Sequence, residues 1–279
     1  MKVCVAGHGL IGSIWERHYR ADGHEVTVWN RTPRSLPNYE GRAARAVKGA
    51  DVVHVVVSDP PAVRSFLRKV MRSLKPGALV IQSSTIDPVS AAEFAAMVVG
   101  AGKDYVEAPF TGSKPAAESR ELVFFVGGDG ASREKAEGYL GRLSARRVPF
   151  GSAAQAAAVK LAMNLQIATV TEALVEGLHL ARSHGISREQ FFEVLGLNVA
   201  HSRLADFKRP KLDSGDFSPQ FSAKWLLKDL RLALGTLSAA ELPATAAAAK
   251  QLKKVVARGL GDQDFTVVAT LFPSWSREG

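Results

Sequence analysis

The chain has one cysteine, Cys4, so an intrachain disulfide framework is impossible and a cysteine-based metal site is not expected. Its seven histidines show no pairing at metal-ligand spacing, and no metal is expected. No stretch of about 18 uncharged apolar residues occurs, so no membrane-spanning helix is expected. No charged leader with an apolar segment and a cleavage site precedes the opening KVCVAG, and a cytoplasmic protein is the expectation. Aromatic residues are few, at 8%, and no basic stripe is interleaved with them. That argues against nucleic-acid binding in spite of a net charge of +9. The densest basic cluster, RSFLRKVMRSLK (64–75), has its charges at helical spacing and reads as a solvated helix face. The positive balance then serves a general attraction for small anions.

What is present is a globular composition, 46% hydrophobic and 23% charged, in a chain of 279 residues, long enough for one large domain or two ordinary ones. In the first half strands alternate with helices. KVCVAG reads as a strand, Leu10 to Ala21 as a helix, VTVWN (26–30) as a strand, and DVVHVVVS (51–58) as a strand buried on both faces. PAVRSFLRKVMRSL reads as a helix, ALVIQSST as a strand, SAAEFAAMVVGAG as a helix, and DYVEAPF, LVFFVGG and RRVPFG as three further strands. Alternation with short glycine turns predicts an α/β fold, an N-terminal Rossmann-type doubly wound sheet. From Ala153 to about His184 no turn chemistry interrupts the chain except Gly177, which predicts one long helix. REQFFEVLGL, a turn with Pro210 and Pro219, KWLLKDLRLALGTLSAA and ATAAAAKQLKKVVARG follow, so the second half is expected to be all-α. The expected domains are 1–152 and 153–279.

Gly7-His8-Gly9-Leu10-Ile11-Gly12 follows the first strand and opens the first helix. The first glycine permits the tight turn, the second lets the backbone approach a pyrophosphate, and the third lets helix pack on strand. The helix N-terminus supplies amide donors and the positive end of its dipole. At the end of the second strand a site for NAD usually carries Asp or Glu. This chain has Asn30-Arg31-Thr32. Asn30 and Thr32 can donate hydrogen bonds to a 2′-phosphate, and Arg31 can pair with it or stack on adenine. NADP(H) is therefore expected over NAD(H).

With these pieces the sequence resembles the β-hydroxyacid dehydrogenase family, which includes 3-hydroxyisobutyrate dehydrogenases and glyoxylate/succinic semialdehyde reductases. Spaced segments carry the resemblance along nearly the whole chain. They are the glycine turn, VVVSDPPAV (55–63), SSTIDP (83–88), EAPFTGSKPAAE (107–118), GSAAQAAAVKLAMN (151–164) and FSAKWLLKDLRLA (221–233). The chain departs from the family at the substrate loop, where Phe110 stands for a valine and Thr111 for a serine, and in having His8 and Ile11 inside the fingerprint. The resemblance implies cofactor contacts at Ser58, Thr85 and Lys228. It also implies that Phe221 and Asp229 lie near the substrate, reached from a partner subunit or from the same chain.

Carbonyl reduction needs a proton donor beside the nicotinamide. Lys160 is the candidate acid/base, in an apolar helix start where its proton affinity can fall. Asn164, one turn on, shares its helix face and can hold the amine or the substrate oxygen. Thr111-Gly112-Ser113 follows a strand, and its amides and hydroxyls suit a substrate carboxylate. His54, within a buried strand, reads as a satisfied core residue. The expected activity is NADPH-dependent reduction of a small carboxylated aldehyde, such as glyoxylate or succinic semialdehyde, reversible toward the hydroxyacid. Two alternatives stand beside it, an imine reductase, which VTVWNRTP (26–33) resembles, and a non-catalytic NADP-binding protein. The long apolar helix has more apolar surface than its short neighbours cover, which predicts a homodimer or homotetramer.

Overall fold

The structure is a computed structural model that describes residues 1–276. The chain forms two compact units, Met1–Lys160 and the residues from Leu161 onward. The division falls inside the long helix. Its first two turns belong by contact with the first unit, eight residues beyond the boundary expected from sequence.

The first unit contains strands β1 (Lys2–Ala6), β2 (Glu25–Trp29), β3 (Val52–Val55), β4 (Leu79–Gln82), β5 (Asp104–Glu107), β6 (Phe110–Thr111), β7 (Leu122–Gly127) and β8 (Ser144–Phe150). Its helices are α1 (Leu10–Ala21), α2 (Ala43–Ala46), α3 (Pro60–Val70), α4 (Pro88–Gly100), α5 (Lys114–Glu118) and α6 (Gly130–Leu140). The strands join in the order β2-β1-β3-β4-β5-β7-β6, with β8 paired to β7. β1 to β5 are mutually parallel, and β7 enters antiparallel to β5 and β6. The chain leaves β1 in opposite directions toward β2 and β3, so the C-terminal ends of these strands form the switch point where such sheets bind ligands.

Strand pleating divides the core. Cys4, Val53, Val55, Val80 and Tyr105 face one layer with Phe66, Leu67 and Phe94. Val3, Val5, Val28, Ile81 and Phe124 face the other with Ile14, Trp15, Tyr19 and Leu140. Aspartates cap three helices: Asp59 accepts from Ala62 N (2.8 Å), Asp87 from Ser90 N (2.8 Å) and Asp129 from Ser132 N (2.9 Å). β3 is shorter than its β-branched run: it ends at Val55, while Val56 N still donates to Ala6 O at 2.8 Å and Val56 and Val57 pack against the glycine turn. DYVEAPF divides into β5 and β6 at Pro109, which has no N–H for the ladder.

The long helix α7 (Ala153–Ser183) leads into α8 (Arg188–Gly196), α9 (Arg203–Ser214), α10 (Ala223–Thr236) and α11 (Pro243–Ala257). By length and composition alone α7 could cross a membrane. It carries Lys160, Asn164, Glu172 and Glu176 along its length, groups that are costly in hydrocarbon. Leu174, Val175, Phe192, Leu226, Leu230, Leu252 and Phe265 form the core of the second unit. Ser187 and Gln190 form a reciprocal capping box at α8.

The segment expected as a turn around Pro210 is helical. Ser202 caps α9 by accepting from Ala205 N, and Gly215 closes it in the left-handed region at φ 70°. Lys208 anchors it inward. Its Nζ lies 3.0 and 2.9 Å from the two carboxylate oxygens of Asp264 and 3.0 Å from Gln220 Oε1. These tertiary bonds outweigh the proline's missing N–H.

Candidate active site

Both outer glycines of the turn are required by geometry. Gly7 has φ +111°, and a Cβ there would overlap the Val56 carbonyl; one at Gly12 would overlap the Gly7 carbonyl oxygen. Gly9 differs, since a Cβ there would meet nothing within 4 Å. Its side faces open space, as close approach of a ligand to the backbone requires. Gly9 is also the N-cap of α1, without a side-chain cap and with no acidic residue in the first turn. The leading amides, from Leu10 and Ile11 on, are therefore available to an anion.

The end of β2 is tied to this turn. His8 N donates to Asn30 Oδ1 at 3.0 Å, Asn30 Nδ2 donates to Thr32 O at 2.7 Å, and Tyr39 Oη donates to Asn30 O at 3.2 Å. Asn30 thus holds the loop, while Arg31 and Thr32 are exposed. A surface cavity of about 480 Å³ lies between His8, Gly9, Leu10 and Ser13 on one side and Arg34, Ser35 and Leu36 on the other. His8 Nε2 is buried with no hydrogen-bond partner among the described residues. These features fit a dinucleotide: an open glycine cradle, uncapped amides, an orphaned ring nitrogen and an arginine, with no carboxylate at the end of β2. Arg34 and Ser35 were not among the residues expected from sequence. The signal that could have found Arg34 is its position as a second basic residue in NRTPR.

The next two strand ends rest on a buried polar network. Gln82 Nε2 donates to Ser84 O (3.0 Å) and to Glu107 Oε1 (2.8 Å), and Ser84 N donates to Gln82 Oε1 (2.6 Å). Tyr105 Oη donates to Glu107 Oε2 at 2.7 Å, and Val57 N donates to Ser84 Oγ at 2.8 Å. This network carries the segments that end in Ser58 and Thr85, both half-buried. Ser58 Oγ donates to Asp59 Oδ2 at 2.8 Å, at the cap of α3. Burial pushes the Glu107 carboxyl up to about 8, against the hydrogen bonds from Tyr105 and Gln82. His54 lies between Tyr19 Oη and Ser83 Oγ, each at 2.9 Å, under the Trp15 ring at 4.3 Å. Burial lowers its pKa to about 3, which makes it a neutral core histidine.

The expected substrate loop follows β6. Gly112 adopts φ +128°, where a Cβ would lie 2.7 Å from Leu122 Cδ2. Ser113 precedes the short helix α5 without a side-chain cap bond. Half-buried Lys160 meets this loop at its first residue, with Nζ 5.9 Å from the centroid of the Phe110 ring. Phe110 is braced edge-on by Trp15 (5.2 Å) and Phe124 (5.8 Å).

In the second unit Asn164, only 1% exposed, donates from Nδ2 to Asp229 Oδ2 at 2.6 Å. Lys228 Nζ pairs with Asp229 Oδ1 at 2.6 Å. Phe221 N donates to Asp264 Oδ2 at 3.2 Å, and its ring meets Phe265 edge-on at 6.1 Å. The buried Lys208–Asp264 pair therefore also anchors the entry to α10. Lys160 is thus found with the substrate loop, and Asn164 with Lys228 and Asp229, while Lys160 and Asn164 lie four residues apart on α7.

Residues 2–151 match the family described as the NAD binding domain of 6-phosphogluconate dehydrogenase, and residues 154–272 that described as NAD-binding of NADP-dependent 3-hydroxyisobutyrate dehydrogenase. The chain is 30% identical over 280 residues to glyoxylate/succinic semialdehyde reductase 1 of Arabidopsis thaliana, covering 96% of this chain and 97% of the relative. It is also 30% identical to the mouse (Mus musculus) cytokine-like nuclear factor N-PAC, over 96% of this chain and half of that longer protein. Among solved structures, Mycobacterium tuberculosis 3-hydroxyisobutyrate dehydrogenase with L-serine superposes with a TM-score of 0.90 at 26% identity, over 98% of this chain and 99% of that one. An imine reductase from Myxococcus stipitatus in complex with NADP+ shares the fold, with a TM-score of 0.67 at 22% identity over 98% and 99% of the two chains.

Proposed function

Because the chain belongs to the 3-hydroxyisobutyrate dehydrogenase-like family of β-hydroxyacid dehydrogenases, we propose that it reduces small carboxylated aldehydes with NADPH, reversibly toward the hydroxyacids. An NAD(P)-binding oxidoreductase is the family's common ground. The finer reading, NADPH and a substrate of the glyoxylate or succinic semialdehyde kind, rests on this chain's own residues.

The observation that carries it is the meeting of half-buried Lys160 with Phe110, the residue that leads into Thr111-Gly112-Ser113. A proton donor and a loop of amides and hydroxyls suited to a carboxylate thereby adjoin within one unit. The bound nicotinamide supplies the hydride. Gly9 and the leading α1 amides would hold its pyrophosphate, and Ser58 and Thr85 would approach its nicotinamide end. Lys160 gives a proton to the carbonyl oxygen in reduction, and in oxidation its neutral amine takes the hydroxyl proton. Asn164, whose Nδ2 donates to Asp229, would hold the Lys160 amine or the substrate oxygen. By the family resemblance Phe221 and Asp229 would lie near the substrate, from the same chain or from a partner subunit.

Lys160 disfavours the imine-reductase alternative, and the retained Lys160, Asn164 and Thr111 set disfavours a non-catalytic protein. A cytoplasmic setting goes with the reading, since the sole thiol, Cys4, is buried and unpaired. So does a homodimer or homotetramer, for Leu180, Val194, Leu197 and Val199 are exposed on the helical unit. The test is a panel of glyoxylate, succinic semialdehyde and a cyclic imine with NADPH oxidation as readout. Turnover of the acids should fall about 10²–10⁴-fold in Lys160→Ala. Turnover of the imine alone, or an undiminished Lys160→Ala, would sink the proposal.

A further inference from the structure

A glycine turn that approaches a pyrophosphate needs its glycines, but it has no use for an imidazole at position 8. His8 is nevertheless placed to act. Its backbone is pinned to the end of β2 through Asn30, and the residue lines the cavity that Arg34 and Ser35 line from the other side. Its Nε2 is buried without a partner among the described residues. Such an atom is costly to leave without a partner, and a ligand oxygen that reached it would relieve that cost.

The charges that face His8 come from two elements. Arg17 and Glu16 lie on α1, and Arg34 lies on the loop after β2. Glu16 is buried and already engaged, by Asn38 Nδ2 at 2.9 Å and by Arg20 at 3.4 Å. Burial first, and then the two arginines, lower the His8 pKa from 6.5, with Glu16 opposing them. With no ligand the ring is therefore neutral at pH 7 and above. Asn30, which the sequence suggested as a phosphate donor, has its carbonyl oxygen on His8 N and its amide on Thr32 O.

We propose that His8 and Arg34, rather than Asn30, read the 2′-phosphate of the cofactor, and that His8 takes up one proton from solvent as that phosphate binds. The proposal rests on the NADPH reading above. The only bond formed is the new N–H on the ring, which then donates to a phosphate oxygen beside the Arg34 guanidinium. NADH, with a hydroxyl in that place, offers no charge to hold the proton. Preference for NADPH over NADH should then fall as pH rises.

The experiment is titration calorimetry with NADPH and NADH at about pH 7.5, in two buffers of different ionisation enthalpy. At that pH the 2′-phosphate is already a dianion, its second pKa being about 6. Wild type should take up a fraction of a proton with NADPH and none with NADH. Its affinity ratio should fall about two- to fivefold between about pH 6.5 and about pH 8.5, the part of a one-unit rise that this window shows for a ring whose free pKa lies below 6.5. His8→Gln and His8→Leu, checked for an unchanged melting temperature without cofactor, should abolish the uptake and flatten the ratio. Wild type that prefers NADPH but takes up no proton would overturn the inference, as would uptake that persists in both variants. Equal affinity for NADH and NADPH at every pH would instead overturn the cofactor reading on which it rests.

Discussion

Asn164 and Asp229, 65 positions apart in sequence, meet in a buried 2.6 Å hydrogen bond that couples α7 to α10. Lys228 pairs with the other oxygen of the same carboxylate. Asp229→Ala would leave the Asn164 amide buried without that acceptor. We expect the helical unit to lose about 1–3 kcal/mol in urea unfolding. We also expect kcat to fall more than KM rises, because the orientation of Asn164 is lost. Wild-type stability in the variant would show that the bond contributes nothing.

Gly9 and Gly12 should separate binding from folding. Gly9→Ala places its methyl in open space, so its stability should stay within about 0.5 kcal/mol of wild type while NADPH affinity drops. Gly12→Ala drives a methyl into the Gly7 carbonyl and should cost several kcal/mol, about 3 or more. Denaturation curves and cofactor titrations on the two proteins check this. Equal loss of stability in both would refute it.

His54 and Glu107 give opposite pH dependences. The unfolded chain protonates His54 below about 6.5, while the folded protein resists until about 3. The stability it contributes is thus full above 6.5 and is lost as pH falls toward 3. Folded Glu107 keeps its proton up to about 8, against 4.5 for the free group, so its contribution is full below 4.5 and is lost as pH rises toward 8. Each slope is about 1.4 kcal/mol per pH unit. Unfolding free energies between about pH 4 and about pH 8 should lose the acid-side decline in His54→Asn and the alkaline-side decline in Glu107→Gln. Profiles parallel to wild type would remove these groups from the account.

The Lys208–Asp264 pair is almost fully enclosed, with side chains 3% and 0% exposed. Lys208→Met would strand a carboxylate that still accepts from Gln220 N, Phe221 N and Thr266 Oγ1. A loss of about 3–5 kcal/mol is expected. Asp264→Asn in the same chain should restore part of it, since the neutral amide needs no counter-charge. Thermal unfolding of the single and double variants distinguishes this from a simple packing loss, which the second change would not repair.

How much was legible in the sequence follows the range of the forces involved. The glycine turn could be read because Gly7 and Gly12 answer clashes with neighbouring backbone, and such local demands leave a fixed spacing. The capped helices after Asp59 and Asp87 could be read for the same reason. Helix α9 could not, because Pro210 is a local stop signal and the bonds that overrule it join Lys208 to Asp264, 56 residues away. Arg34 was missed because it borders the site only once the loop after β2 folds back beside α1. The bond between Asn164 and Asp229 likewise has no signature in spacing. The residue types of the candidate site were visible, while the partners that orient them were not.

Cys4 lies inside the parallel sheet, between Thr27 on β2 and Val53 on β3, and burial pushes its thiol up to about 12. A thiol so placed is inert until the sheet around it separates. As the only sulfhydryl in the chain, it makes alkylation a clock for opening of the nucleotide-binding unit alone. Bound dinucleotide should slow that clock in proportion to its saturation, with no engineered probe in the protein.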